Sequence, residues 1–439
     1  MSQASTWKGM SPELRKVAER ARQEPDGRFH SVAHFMDEQA LRRAYHRLRR
    51  DAAVGVDGVT KEDYGQNLQA NLRDLHERLK SKRYRHQPIR RTHIPKENGQ
   101  TRPLGISAFE DKIVQDALRE VLQAICEQDF LDCSHGFRPG RSAHDALRVV
   151  NRVAHQGEMN WVLEADIVSF FDSVDRAALL EMLQKRLADG SLLRLIRKCL
   201  HVGVLDGEEF STPDTGTAQG SILSPLLGNL YLHYVLDVWF EQEVRPHLRG
   251  KACLIRYADD FIIAFAERSD AERVWAVLPK RLQRFGLTLH PDKTRLLDFR
   301  RPPASQPNGK GPGAFDFLGF TLHWRRGRWG GWRLACQTRR VRLHRAIRAV
   351  YDWCRDHRHQ AVAEQHDALS RRLRGHFNYF GVQGNFQSLR VLWWRAHRAW
   401  HKWLNRRSQR SRLRWERFIM LLEHYPLPRP RIAVAIWGT

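Results

Sequence analysis

Two apolar segments that each meet aspartate constrain what this chain can fold into. RYADDFIIAF, residues 256–265, sets Asp259 and Asp260 side by side between apolar and aromatic residues, while WVLEADIV, residues 161–168, carries an apolar run to Asp166. Short apolar runs bounded by a turn read as buried strands, so YADD predicts a β-hairpin whose tight turn carries both acids. A solvated turn would account for YADD alone. Adjacent carboxylates at the end of buried strands repel each other, however, and a divalent cation relieves that repulsion. A neighbouring strand ending at Asp166 would bring a third carboxylate to the same place. Mg²⁺ takes a few carboxylates and fills its remaining positions with water or phosphate oxygens. Two such ions roughly 4 Å apart activate an attacking hydroxyl and stabilise a leaving oxygen, which is the chemistry of nucleotide polymerisation.

The partner that polymerisation needs agrees with the charge. The 439 residues carry a net charge of +25, which points to a polyanion, either nucleic acid or an anionic membrane surface. Residues 321–439 concentrate it, holding 26 Lys and Arg against 6 Asp and Glu. There RVLWWRAHRAWHKWLNRRSQRSRLRWERF interleaves Trp393, Trp394, Trp400, Trp403 and Trp415 with Arg. Helical spacing predicts that these aromatics pack a core face, leaving an Arg face for phosphate. The run ILSPLLGNLYLHYVLDVWF, residues 222–240, is broken by Pro225, Asn229, His233 and Asp237 and reads as a buried helix, not a membrane span. Six scattered cysteines form no CxxC pair, which argues against a zinc site or a disulfide framework. MSQASTWKGMSPELRK lacks the apolar core of a signal peptide, so a cytoplasmic, nucleoid-associated protein is expected.

A length of 439 residues predicts two or three packed units. Residues 1–45 are helical in pattern, with Asp37 as a cap, and residues 46–150 alternate short helices and loops. Strands and helices mix over 161–325, interrupted by the Pro/Gly-rich loop 300–313, and the chain beyond 335 is helical.

The blocks ADIVSFFDSVD, GTAQGSILSPLLGNLYLHYVLD, RYADDFIIAF, FGLTLHPDKTRLL and FDFLGFTLHW occur in the order of reverse transcriptase palm motifs. Their wording resembles the reverse transcriptase/maturase proteins encoded by bacterial group II introns. GVDGVT, IPKENGQTRPLGI and SHGFRPGRSAHDAL resemble the finger blocks of that family, and LRGHFNYFGVQGNFQSL resembles its thumb, or maturase, domain. The resemblance runs over roughly residues 35–430. It implies an α+β right-hand polymerase with a helical extension over 1–45, fingers and a palm with a small antiparallel sheet over 46–325, a helical thumb over 335–420 and a short tail over 421–439. The implied activity is RNA-directed DNA polymerase, adding dNTPs to a primer 3′ end on an RNA template with two Mg²⁺ ions. Intron RNA binding for splicing, and retromobility of a mobile element, come with it. The implied partners are RNA, a DNA primer or target and dNTPs, with no membrane and with homodimerisation left open. The chain ends after PLPRPRIAVAIWGT without paired cysteines or a His-Asn-His block, so an endonuclease-lacking member is expected.

The same resemblance assigns roles. Asp166, Asp259 and Asp260 become the catalytic acids and metal ligands, with the Ile167 carbonyl as an extra ligand; Asp166 and Asp259 lead and Asp260 assists from the turn. Phe171 takes the position of the aromatic that collides with a ribose 2′-hydroxyl, although core packing alone would explain a Phe beside Phe170. Lys96 and Arg102 would hold the triphosphate. Gln219 and Gly220 would pack against the incoming base and template, while Ala218 and Ser221 depart from the common Pro and Gly and should tune loop rigidity. Lys293 is a candidate proton donor to pyrophosphate. Arg138 and Arg141 would lie near the template or primer backbone, where Arg can fork onto phosphate. For the loop cations, plain solvated charge is the competing explanation. Two other functions remain open: a domesticated reverse transcriptase in DNA repair or antiviral defence, and an RNA-binding splicing factor with a vestigial polymerase site.

Overall fold

The computed structural model describes residues 10–95, 101–207, 209–211, 215–217, 220–303, 311–327, 330–408 and 413–437, with the side chains of Pro95 and Arg102 excepted. Its first helices, α1 (Pro12–Gln23) and α2 (Glu38–Arg47), start at side-chain caps: Ser11 Oγ accepts from the Leu14 N–H at 3.3 Å and Asp37 Oδ1 from the Ala40 N–H at 2.7 Å. Both bury an apolar stripe against α5 (Phe109–Cys126), a helix with fourteen buried residues. Strands β1 (Ile89–Pro95) and β2 (Thr101–Ile106) form the expected fingers hairpin, extended by β4 (Val204–Asp206) and β5 (Glu209–Ser211) into a sheet of order β2-β1-β4-β5.

The palm is a four-stranded antiparallel sheet of order β6-β7-β3-β8, made of β6 (Ala252–Tyr257), β7 (Asp260–Phe265), β3 (Trp161–Asp166) and β8 (Arg295–Asp298). Side chains alternate between its faces. Leu163, Ala165, Phe261 and Ile263 join the large helical core, while Val162, Ile255, Ile262 and Ala264 join a second core. That second core includes α6 (Ala143–His155) and a three-stranded sheet of β9 (Ala314–Phe317), β10 (Phe320–Arg326) and β11 (Trp332–Thr338). The apolar run at 222–240 is a buried helix, α-helical from Ser224 to Leu232 and π-helical over His233–Asp237 and Trp239–Val244. Among the described residues no helix is long and apolar enough to cross a membrane.

Helices α12 (Arg340–Asp356), α13 (Val362–Phe380), α14 (Phe386–Leu404) and α15 (Trp415–His424) form a third core. Trp400 is fully buried there and Trp393 and Trp403 pack at its edge, whereas Trp394 is 51 % exposed, so the aromatics only partly form a core face. A tail beginning at residue 421 would start inside α15. Beyond that helix the chain returns to the palm. Asn151 Nδ2 donates to the Ile436 carbonyl at 2.7 Å, Trp437 Nε1 donates to the Leu334 carbonyl at 3.0 Å, and Ile436 is buried in the second core.

Candidate active site

Asp166 is the last residue of β3 and Asp260 the first of β7, and the register pairs them directly across the ladder. Opposed residues of an antiparallel pair point to the same face, so both carboxylates lie at one end of the palm sheet on the side of the second core. The β6–β7 hairpin pairs Tyr257 with Asp260, leaving Ala258 and Asp259 as the turn. This corrects the expectation that both acids occupy the turn, because Asp260 is a strand residue. Ala258 holds φ 57°, a left-handed conformation that a non-glycine residue adopts only when its surroundings enforce it.

The enforcement is a buried polar cluster. Arg256 has no exposed surface; Nε donates to Asp237 Oδ1 at 2.8 Å and Nη2 to Asp237 Oδ2 at 2.5 Å. Its remaining donors reach Asn229 Oδ1 at 3.0 Å, Ser134 Oγ at 2.8 Å and the Ala258 carbonyl at 3.0 Å. Asn229 Nδ2 in turn donates to the Gly136 carbonyl at 2.6 Å. Gly136 lies so close to the turn that a Cβ would stand 2.4 Å from the Ala258 nitrogen. The SHGFRPG loop, the π-helical segment and the YADD turn are therefore locked together. None of these residues was singled out for the site from sequence alone, although Asn229 and Asp237 stand out as polar residues in an apolar run.

Three acids with hard oxygen donors fit a hard divalent cation such as Mg²⁺. Burial pushes the Asp260 carboxyl up to about 7, with Asp259 and Asp166 adding to the rise and the Leu318 N–H, 3.2 Å from Oδ2, opposing it. Lys293 Nζ lies 2.7 Å from Asp166 Oδ2. Among the described residues no group of three or more His, Cys, Asp or Glu side chains is gathered closely enough to hold a metal ion. Ile167 faces Leu289, and the flanking ladder bonds run from the Val168 N–H to the Thr288 carbonyl and from the His290 N–H to the Asp166 carbonyl. Neither of those bonds involves the Ile167 carbonyl.

The raised Asp260 value predicts a pH effect. The ordinary value is 3.8, so the folded state holds a proton that the unfolded state releases, and this group's contribution to stability is complete below pH 3.8 and lost as pH rises through about 7. Thermal melts without divalent cation should show that decline, and Asp260→Asn should flatten it between pH 4 and pH 8. An unchanged slope in the variant overturns the assignment.

Phe171 follows a turn in which Ser169 takes φ 45°. Its ring is half-exposed and touches Phe170, with centroids 5.1 Å apart. Gly228 lies beneath it, where a Cβ would come within 3.1 Å of Phe171 Cε1, and the Thr217 N–H donates to the Phe171 carbonyl at 2.7 Å. Gly220 packs on the fingers: with φ +110°, it would put a Cβ 2.4 Å from the Gly105 carbonyl oxygen. Gly220→Ala therefore combines backbone strain of about 1–3 kcal/mol with a clash. It should raise the KM for dNTP about tenfold, measured by primer-extension kinetics; an unaltered KM would detach this residue from nucleotide binding. Ser221, where Gly is common, donates from Oγ to Gln115 Oε1 at 3.1 Å, tethering the segment to α5. Lys96, Ala218 and Gln219 lie outside the described residues; the Arg102 backbone pairs with Ile94 in the fingers hairpin.

Arg138 requires correction. Arg138 is buried, pairs with Glu127 at 2.8 Å and donates to the carbonyls of Leu131, Ser134 and Phe130. Its fork is consumed in holding the loop and cannot reach a phosphate. Arg141 pairs with the exposed Asp132 at 2.5 Å and also donates to the Asp132 and Ser134 carbonyls.

A palm sheet with acids at the join of its central strands, between a fingers hairpin and a helical thumb, defines a right-hand polymerase. Residues 94–322 match the family described as reverse transcriptase (RNA-dependent DNA polymerase). Protein YkfC of Escherichia coli (strain K12) is 34% identical over 313 residues, which cover 64% of this chain and 78% of that protein. The group II intron-encoded protein LtrA of Lactococcus lactis subsp. cremoris is 38% identical over 191 residues, 43% of this chain and 32% of LtrA. Nuclear intron maturase 2, mitochondrial, of Arabidopsis thaliana is 27% identical over 233 residues, 44% of this chain and 30% of that protein. The chain belongs to the reverse transcriptase family, and within it to the group II intron reverse transcriptase/maturase type. Its match spans about a third of the length of LtrA and of the Arabidopsis maturase.

Proposed function

We propose that the chain extends a primer 3′ end with dNTPs on an RNA template, and that Asp166, Asp259 and Asp260 hold two Mg²⁺ ions for that step. The observation that carries this reading is the opposition of Asp166 and Asp260 across the β3–β7 ladder, with Asp259 in the adjoining turn. When bound, the ions supply a polarised primer hydroxyl and charge neutralisation on the transferring phosphate. The Arg256 cluster keeps Asp259 in place through the Ala258 carbonyl, so the turn needs little reorganisation when nucleotide arrives. Lys293 balances the charge of Asp166 and is placed to give a proton to the departing pyrophosphate. The fingers hairpin, with Lys96 and Arg102, receives the triphosphate.

Phe171 discriminates against ribonucleotides by standing where a 2′-hydroxyl would enter. Gly228 beneath the ring and the Thr217 bond to its backbone support that role, since a gate must not yield. Phe171→Ala should raise ribonucleotide incorporation at least about tenfold relative to dNTP, a discrimination of about 1.4 kcal/mol. An unchanged ratio in single-nucleotide extension assays would remove the gate.

The helical thumb, assigned to 335–420, binds structured RNA of the intron from which the chain is expressed and thereby assists splicing. Exposed Arg340, Arg348, Arg371, Arg374, Arg390 and Arg398 on three of its helices support this reading. Primer extension on an RNA template with dNTP and Mg²⁺ tests the polymerase, and lack of extension overturns it. Sequencing of copurified RNA tests the intron, and recovery of only unrelated RNA overturns that part.

A further inference from the structure

Beside the fingers sheet, remote in sequence from the acids, lies a second group of reactive side chains. Cys199 Sγ, near the end of α9 (Gly190–Leu200), is 2.9 Å from His86 Nε2. His86 Nδ1 is 3.2 Å from Asp111 Oδ1 on α5, and Asp111 also accepts from the Tyr84 hydroxyl and, at 3.0 Å, from the Gln87 N–H. An ionised carboxylate only accepts, so Nδ1 carries the proton and Nε2 is turned to the sulfur. A nucleophile facing a base that is oriented by a third group is the signature of an activated side chain. Burial alone would push the His86 imidazole down, but the facing Cys199 sulfur and Asp111 outweigh it and hold its value up at about 10.

The other cysteines have a different setting. Burial pushes Cys253 up to about 11 and Cys336 and Cys354 up to about 12, and raises Cys126 and Cys133 as well. Those thiols are inert packing. Cys199 instead lines a cavity of about 360 Å³, whose wall also includes Arg91, Asp172, Arg176 and Thr215–Thr217. The charged and titratable groups around the sulfur are thus His86, with Asp111 and Tyr84 behind it, and Arg91, Asp172 and Arg176 across the cavity.

We propose that Cys199 is a nucleophilic thiol, activated by His86 and Asp111, that reacts with small hydroperoxides reaching it through this cavity. The sulfur attacks the terminal peroxide oxygen, an S–O bond forms as the O–O bond breaks, and His86 passes the thiol proton to the leaving oxygen. Sulfur loses two electrons and becomes a sulfenic acid, while the peroxide gains two and leaves as water or an alcohol. The added oxygen enters the cavity that Thr215–Thr217 also line, and the Thr217 N–H of that segment holds the Phe171 carbonyl. Oxidation should therefore slow polymerisation, a consequence that rests on the assignment of Phe171 to the nucleotide site.

Iodoacetamide labelling of the full chain tests the thiol without requiring polymerase activity. The sulfur displaces iodide, and mass spectrometry follows each cysteine separately. At pH 6.5 Cys199 should label at least tenfold faster than Cys133 or Cys253. His86→Asn should bring it down to their rate. Equal labelling of the three cysteines in the wild type overturns the proposal even if His86→Asn fails to fold. Hydrogen peroxide should slow primer extension by the wild type and spare Cys199→Ser; equal slowing of both overturns the link to polymerisation.

Discussion

Asp259→Ala is expected to lower primer extension on RNA at least about a thousandfold, the upper range for removing one preorganised electrostatic group from a reacting site. The residue occupies a two-residue turn whose Ala258 carbonyl is held by Arg256, so the substitution removes a charge while the turn backbone stays anchored. Melting temperature and RNA affinity should stay near wild type. Asp166→Asn should behave alike, because its strand end supplies the opposing carboxylate. Asp260 should tolerate replacement better: one of its oxygens already accepts the Leu318 N–H, and Asn preserves that bond. Single-turnover extension with each variant distinguishes them, and robust extension by Asp259→Ala would sink the metal assignment.

Arg256→Ala carries the second large effect, this time on stability. Removing the cation leaves Asp237 charged and fully buried, which costs about 3–5 kcal/mol. Ser134 and Asn229 lose a donor at the same time, and the turn loses the bond to the Ala258 carbonyl. The double variant Arg256→Met with Asp237→Leu removes both charges, so urea unfolding should show much of the stability regained. Extension should remain well below wild type, since the Ala258 carbonyl then lacks the guanidinium donor that helps hold the turn at φ 57°. Full recovery of activity with stability would show that the cluster is only structural; equal stability of all three proteins would show that the ion pair contributes nothing.

The acids were legible because apolar runs of strand length end on them, a pattern produced by local burial. Their register was not. YADD is compatible with more than one turn centre, and the positive φ falls on Ala258, a residue type that does not announce it. Arg138 and Arg141 illustrate another limit: a loop Arg looks the same in sequence whether it faces solvent or its own chain, and here Glu127 and Asp132 decide the direction. The buried apolar helix was readable from composition and punctuation, whereas the β1–β2 hairpin lies in a stretch whose pattern reads as short helices and loops, and only the family resemblance pointed to fingers there. By contrast, His86 and Cys199 are 113 positions apart, and Asn151 and Ile436 are 285 apart, so the fold alone brings them together.

The return of Ile436 and Trp437 to the palm has a mechanical consequence. The thumb leaves the palm at β11 and is fastened again where Val382 bridges Val434, with Gln383 Oε1 accepting from the Ile436 and Trp437 N–H groups at 2.9 and 2.8 Å. With the Tyr379 hydroxyl also donating to the Leu318 carbonyl at 3.0 Å and His144 Nε2 2.8 Å from the Tyr379 carbonyl, the base of the thumb is tied to the palm at several separate points of the chain, which restricts how far its helices can turn relative to the acids.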